Sequence, residues 1–166
     1  MALSFETARP GQVLEPLRKG PMSPAHIMRW SAAMENWHRI HYDWRFATQH
    51  DGLPDLVVNG SWKQHVLAQL VKDRLGRDGW LWKLRFRYRA MDVVWDTIIA
   101  KAEVTRTQEV DGLGFVTLKL LITNQRDVVT TTGWAIGVLP LAGGKRVPYP
   151  FAPTEAQSAL ELPADD

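Results

Sequence analysis

The sequence predicts an α+β fold in which helical segments come first and an antiparallel sheet follows. Apolar residues over about 61–75 recur at helical spacing and fill one broad face of a helix. Residues 80–139 consist of long β-rich runs separated by short turn signals, the pattern of an antiparallel meander. A chain of 166 residues fits one domain with a core of ordinary size.

The N-terminal part predicts an arm followed by a helix. Residues 1–23 are rich in glycine and proline, which predicts irregular structure with one short strand around Val13-Leu14. Ser23 is a suitable N-cap and Pro24 suits the first helical position. The apolar spacing that follows predicts a helix over about 24–34.

Two further helical segments follow. Asp43 stands where an N-cap would stand for a short helix that stops at the turn signal Asp51-Gly52. The segment 61–75 has the strongest helical pattern of the chain, and Gly76 is a natural end for it. We therefore expect this helix to be central to the core.

The strand predictions rest on alternation and on turn residues. From Trp82 onward the segment 80–89 alternates apolar residues with cations, which predicts a half-exposed strand with a basic face. That basic face consists of Lys83, Arg85, Arg87 and Arg89. Three more strands are predicted over residues 96–110, 115–123 and 128–139, separated by turns at 111–112 and 124–127.

The predicted domain covers residues 1–140, and residues 141–166 form a separate tail. This tail holds four of the ten prolines together with Gly143-Gly144. We expect it to be loosely ordered or to wrap the surface.

Composition excludes several classes of function. The chain contains no cysteine, so it has no disulfide, thiolate metal site or cysteine nucleophile. A net charge of +2 is too small to indicate a nucleic-acid partner. No apolar run approaches the ~20 residues that span a bilayer, and the N-terminus lacks a basic-then-apolar signal, so we expect a soluble cytoplasmic protein without a membrane partner.

The densest polar segment, residues 35–43, lies between two predicted helices. It contains two of the five histidines together with an amide, a carboxylate and a guanidinium. Such a loop is typical of an active site. The eight tryptophans favour either a core or a ligand pocket or interface lined by aromatic rings.

Several motifs resemble those of the MaoC-like hot-dog dehydratases. The specific match is the loop His-Arg-Ile-His-Tyr-Asp, which resembles the branch of mesaconyl-CoA hydratases and type 2 hydroxyacyl-thioester dehydratases. The supporting matches lie in the lead-in to the first helix, in the turn before the long helix and before the last strand. In order along the chain, the matching segments are Pro16–Pro21, His38–Asp43, Leu56–Gly60 and Asn124-Gln125. The similarity covers roughly residues 12–140.

The resemblance implies a single hot-dog domain, in which the sheet wraps around the helix at about 61–75. It also implies that His41 is the catalytic histidine. Asn36 falls on the position of the family's catalytic aspartate, and Asn59 replaces a histidine that usually precedes Gly60. Related sequences of the same branch also tend to carry asparagine at the first of these two positions.

The implied reaction is hydration of a 2-enoyl thioester, or dehydration of the 3-hydroxyacyl thioester, with (R) stereochemistry. His41 would hold the water, Asn36 would orient it, and the backbone N–H of Gly60 would stabilise the oxyanion at a helix N-terminus. Substrate-lining roles are expected for His38, Asn59, Ser61 and Arg85.

Each of these residues also has a purely structural interpretation. His41 could be a structural hydrogen bonder, Gly60 could merely permit a turn, and the basic stripe could be a solvated face. Asp43 is most simply a helix cap, and Arg39 most simply pairs with a carboxylate. His26, His50 and His65 lack companions in the sequence and are interpreted as surface or packing residues.

The partners that follow are an acyl-CoA or an acyl-carrier-protein thioester and a second copy of the chain, paired through the sheets. Neither a metal nor a cofactor is expected beyond coenzyme A as part of the substrate. A second hot-dog subunit remains an alternative partner. In that case the chain would be a catalytically weak subunit, or a thioester-binding protein, of a heteromeric dehydratase.

Overall fold

A five-stranded antiparallel sheet curls around one long helix in the computed structural model, which describes residues 2–164. The spatial order of the strands is β1-β3-β4-β5-β2, and every neighbouring pair is antiparallel. The elements along the chain are β1 Val13–Lys19, α1 Pro24–Ala33, α2 Gly60–Leu75, β2 Trp80–Tyr88, β3 Ile98–Val110, β4 Leu113–Thr123, β5 Val129–Leu139 and α3 Glu155–Ser158. This is the hot-dog arrangement, and it confirms the predicted α+β class.

Strand β1 is longer than the short strand expected at Val13-Leu14. It pairs with β3 from Val13 to Lys19, with a shift of register between Leu14 and Leu17. Pro16 lies within this irregularity, because proline has no N–H to donate to a ladder. The prediction from the sequence therefore located the strand correctly but made it too short.

Helix α1 begins as its sequence indicates. The Ser23 hydroxyl accepts from the backbone N–H of His26, and the His26 side chain accepts from the backbone N–H of Ser23. Ile27 and Ser31 face inward and are buried, whereas Met34 at the end of the predicted helical stripe is exposed. The helix thus ends one residue before the predicted boundary.

Helix α2 fills the concave side of the sheet. Its buried residues include the apolar ones that define the predicted stripe, namely Val66, Leu67, Leu70, Val71 and Leu75. They pack against inward-facing residues of all the strands, and Gly76 follows as the C-cap. This confirms that the predicted helix is the centre of the main core.

The hairpin between β3 and β4 follows its turn signal. Asp111 and Gly112 have φ values of +50° and +71°, so both central residues of this two-residue loop are left-handed. Such a turn matches the natural twist of a hairpin. The three predicted long strands are confirmed, with ends within two residues of their predicted positions.

Strand β2 departs from the alternation that the sequence suggests. Its register against β5 shifts between Leu81 and Lys83. As a result Trp82 packs on the outer face of the sheet with Phe115, on the same side as the cations. The prediction that Trp82 shares a face with Leu84 was wrong, because a bulge places an extra residue in the strand.

Residues after β5 cover this outer face. Val147, Phe151, Leu160 and Leu162 pack against a second apolar cluster on the sheet, which consists of Leu113, Phe115, Ile136 and Val138. Gln157 of α3 is buried and donates from Nε2 to the carbonyl of Val110 at 3.2 Å. The segment therefore wraps the sheet; Asp165 and Asp166 lie outside the described residues.

No helix in the described part of the chain is long and apolar enough to cross a membrane.

Candidate active site

The polar loop after α1 is shaped by a tight turn. Glu35 has a φ of +51°, which ends the helix, and the backbone N–H of Asn36 donates back to the carbonyl of Ser31 at 2.9 Å. A short 3₁₀ turn, Arg39–His41, follows. The loop therefore starts beside the buried face of α1 and returns its histidine toward the core.

His41 is the buried histidine of this loop, with only 6% of its surface exposed. Its Nδ1 lies 2.8 Å from the carbonyl oxygen of Val57, and because a carbonyl only accepts, Nδ1 carries the proton. Neutral His41 therefore presents Nε2 as a free base. Burial lowers the pKa of His41, the bond to Val57 raises it and nearby His38 lowers it, and the net pKa lies below its ordinary value.

Asn36 and His38 precede His41 in the loop and are less buried than it. The Asn36 Oδ1 accepts from the backbone N–H of His38 at 3.4 Å. His38 is exposed, and its ring centroid lies 6.1 Å from that of His41 in an edge-on arrangement. The structure thus brings together three of the predicted site residues: Asn36, His38 and His41.

Arg39 and Asp43 hold the loop in shape. The Arg39 guanidinium donates to Asp43 Oδ2 at 2.7 Å, and the other carboxylate oxygen accepts from the backbone N–H of Phe46 at 3.0 Å. The Phe46 N–H bond and the Arg39 bond lower the pKa of Asp43 below its ordinary value. Asp43 therefore caps the following short helical segment, which ends in the π-helical turn Phe46–His50.

The N-terminus of α2 follows three residues after Val57, the hydrogen-bond partner of His41. Asn59 precedes it and is buried, but its side chain makes no capping bond; Nδ2 donates to the Ser31 hydroxyl at 3.0 Å instead. The first backbone N–H groups of a helix have no partner within it, so those of Gly60 and Ser61 point beyond the helix end. The positive end of the dipole of α2 also lies here, and it favours a developing negative charge.

Tyr88, which the sequence did not single out, covers part of this helix end. A Cβ added to Gly60 would lie 2.8 Å from the Tyr88 Cζ and 3.0 Å from its hydroxyl oxygen. The ring is 49% exposed, and burial of the hydroxyl raises the pKa of Tyr88. Alternation alone could not show that the last residue of β2 reaches α2.

A buried ion pair, also missed from the sequence, fixes the first turn of α2. Lys63 Nζ donates to Asp92 Oδ2 at 2.9 Å and to the carbonyls of Ala90 and Thr130, and both charged side chains are almost fully buried. Asn124 donates to the other oxygen of Asp92 at 3.5 Å. The helix end is thereby tied to the loop before β3 and to the β4–β5 turn.

A second buried carboxylate strengthens that loop. Asp96 accepts from Arg126 at 2.7 Å, from Gln125 at 2.8 Å and from the backbone N–H of Val93. Burial raises the pKa of Asp96, but these donors together outweigh it and hold the pKa below its usual range. The Asn-Gln pair of the family resemblance thus serves to anchor loops.

Arg85, one of the predicted substrate residues, is not brought to this site. It lies on the outer face of the sheet and donates to the carbonyl of Pro163, while neighbouring Lys83 donates to the carbonyl of Leu160. Arg89 donates to the Thr132 hydroxyl at 2.9 Å. Cations of the basic stripe therefore bind other parts of the same chain, so the interpretation of the stripe as a purely solvated face was wrong.

The fold and this loop define the class of hot-dog hydratases and dehydratases. The chain belongs to the hydroxyacyl-thioester dehydratase type 2 family, whose model matches residues 7–96. No curated protein matches the sequence. The mesaconyl-CoA hydratase part of the resemblance stays a prediction.

Solved structures with the same fold have low sequence identity to the chain. An (R)-hydratase from A. caviae involved in PHA biosynthesis is 24% identical with a TM-score of 0.72, and the match covers 81% of this chain and 99% of that one. The ChsH1-ChsH2 complex of Mycobacterium tuberculosis matches with 23% identity, a TM-score of 0.67 and coverage of 79% and 98%. The HadBC (3R-hydroxyacyl-ACP dehydratase) complex of the same organism is 14% identical with a TM-score of 0.60. That match covers 78% of this chain and 96% of the other.

Proposed function

We propose that this protein is a hydro-lyase that adds water to 2-enoyl thioesters, or removes it from (R)-3-hydroxyacyl thioesters. The proposal agrees with the family to which the chain belongs. The observation that carries it is the bond of His41 to Val57, three residues before Gly60. Three residues span at most about 11 Å, so we place the base and the amides of the helix N-terminus around one thioester.

The residues supply the parts of this reaction as follows. His41 Nε2 takes a proton from water while the water oxygen bonds to the β-carbon of the enoyl group. The electrons of the double bond move to the thioester oxygen, where the N–H groups of Gly60 and Ser61 stabilise the negative charge. The proton held by His41 then passes to the α-carbon, which restores the thioester.

Asn36 orients water in this scheme but cannot exchange protons. Its amide oxygen accepts from the backbone N–H of His38, which ties the side chain to the loop that carries His41. One base must therefore serve both proton transfers. We expect a slower reaction than with a carboxylate at this position, and we expect Asn36→Asp to change the rate without changing the fold.

The decisive experiment is hydration of a panel of enoyl-CoA thioesters, followed by loss of the enoyl absorbance. His41→Asn keeps an N–H near the position of imidazole Nδ1 and so can still bond Val57. We expect this variant to lose activity by about 10²–10⁴-fold, the usual contribution of a general base, with an unchanged circular dichroism spectrum. Full activity in His41→Asn, or no hydration of any thioester by the unmodified protein, would refute the proposal.

A second candidate function is that of a weakly catalytic subunit in a heteromeric dehydratase. Asn36 at the acidic position favours it, and two of the structural neighbours are complexes of two named components. In that case the purified chain would hydrate thioesters only after mixing with a second hot-dog chain. Activity of the isolated chain equal to that of the mixture would exclude this candidate.

A further inference from the structure

A groove of about 360 Å³ lies between α1 and α2, apart from the polar loop. Its lining includes the cations Lys19 and Arg29, the histidines His26 and His65, and the rings of Trp30 and Trp62. None of its ten lining residues is a carboxylate. Within residues 2–164, neither Lys19 nor Arg29 forms an ion pair, so the groove keeps its positive charge.

The groove begins at the proposed active site. The Trp30 indole N–H donates to the Ser61 hydroxyl at 2.8 Å, in the first turn of α2. The Trp30 ring also lies 5.2 Å from the ring of His65, one turn further along the helix. From Ser61 to Gln69, the last lining residue, the helix rises about 12 Å. A thioester held at the helix end can thus continue into the groove.

The lining has the chemistry that recognises a nucleotide. Arginine and lysine bind phosphates through charge-assisted hydrogen bonds, and tryptophan rings offer flat surfaces on which a purine stacks. The volume lies in the range of small-molecule sites. Coenzyme A has a purine and several phosphates, whereas the prosthetic group of an acyl carrier protein has one phosphate and no purine.

We propose that this groove binds the adenine nucleotide of coenzyme A, so that the carrier is coenzyme A. The inference rests on the thioester function proposed above and specifies its substrate. The phosphates lie against Lys19 and Arg29, and the purine lies against Trp62. His26 and His65, which the sequence suggested were surface residues, then belong to a binding surface.

The test measures equilibrium binding of unacylated coenzyme A by calorimetry, which needs no catalysis. The Lys19→Gln/Arg29→Gln variant should bind about tenfold or more weakly, since hydrogen bonds to charged groups are among the stronger ones. Arg18→Gln is the matched control, because Arg18 is an exposed cation adjacent to Lys19 that does not line the groove. Trp62→Leu should weaken binding of coenzyme A but leave that of 4′-phosphopantetheine unchanged.

The outcomes separate this inference from the proposed reaction. Equal binding of 4′-phosphopantetheine and coenzyme A, or equal loss in Arg18→Gln and the double variant, would overturn the nucleotide site. Hydration of an enoyl thioester on a carrier protein, without measurable binding of coenzyme A, would also overturn the nucleotide site. The proposed reaction would then still stand. Groove-dependent binding of coenzyme A without any hydration would support the site and refute the reaction.

Discussion

The phenol ring of Tyr88 lies directly over the α-carbon of Gly60, with no space between them for a methyl group. A Cβ at Gly60 would meet the ring carbon Cζ at 2.8 Å, closer than real side chains approach. Glycine suits this position because a thioester held by the Gly60 N–H must come close to the backbone. The structure gives a second reason, which is that β2 closes on the helix end at this point.

Substitution of Gly60 distinguishes these two reasons. Gly60→Ala should lower hydration activity tenfold or more, while stability falls by only about 1–2 kcal/mol, because the half-exposed Tyr88 ring can move aside. Enoyl-CoA kinetics and urea unfolding measure the two effects. If Tyr88 alone requires the glycine, Gly60→Ala/Tyr88→Ala should recover the activity of Tyr88→Ala. A double variant as inactive as Gly60→Ala would show that the substrate itself needs the space.

The buried state of His41 predicts how stability depends on pH. The pKa of His41 in the folded protein lies below the ordinary value of about 6.5. As the pH falls, His41 therefore becomes protonated in the unfolded chain before it does so in the folded protein. The contribution to stability is therefore complete above about pH 6.5 and is lost as the pH falls through the pKa of folded His41. Urea midpoints between pH 8 and pH 5 should show a shallower decline for His41→Asn than for the unmodified protein.

His50→Gln provides the control for this measurement, because His50 is exposed outside the site. An identical decline in the unmodified protein and His41→Asn would contradict the prediction.

The Lys63–Asp92 pair should contribute strongly to stability when one partner alone is removed. Lys63→Met leaves a carboxylate buried without its cation, which costs about 3–5 kcal/mol. Lys63→Met/Asp92→Asn should recover part of this loss. Urea unfolding of the single and double variants gives the coupling directly. Arg77→Ala, in an exposed pair with Asp78, should have no measurable effect.

A double variant less stable than Lys63→Met alone would show that the pair is not coupled in this way.

The segment after β5 should stabilise the sheet through Phe151. This ring packs against Trp82 and Phe115, with centroids 5.5 and 6.3 Å away. Phe151→Ala should lower the free energy of unfolding by about 1–3 kcal/mol and change the near-ultraviolet signal of Trp82. Tyr149→Ala, at a side chain that is 85% exposed, should change stability far less. Equal effects of the two substitutions would contradict the packing.

Local patterns predicted the elements because each depends on neighbours in sequence. Ser23 and Pro24 mark the start of α1 through bonds within one turn, and the Asp111-Gly112 turn needs only its own backbone angles. The loop with His41 could be recognised because its polar residues are consecutive. These are properties of a few adjacent residues, so the sequence carries them directly.

The features that the sequence did not show depend on residues far apart in the chain. In the sequence, Lys63 is one polar residue on an amphipathic helix. Only the fold brings Asp92, with Asn124 behind it, into contact with this lysine. Likewise, nothing near Gly60 in sequence indicates Tyr88. The one available signal for the buried pair was a single charged residue, Lys63, within the apolar stripe of the helix. Such a charge is also common at the margins of solvated helix faces.

The extra residue in β2 shifts the phase of the strand partway along its length. Toward Tyr88 the apolar side chains Leu84 and Phe86 face the helix, whereas toward Trp80 the large rings face the opposite side. One strand therefore supplies two separate apolar cores on the two faces of the sheet. Deletion of Trp82 would restore regular alternation, because Leu81 and Lys83 already pair with the adjacent residues Gly137 and Ile136. Trp80 would stay on the outer face, and the final segment of the chain would lose the Trp82 ring that packs against Phe151.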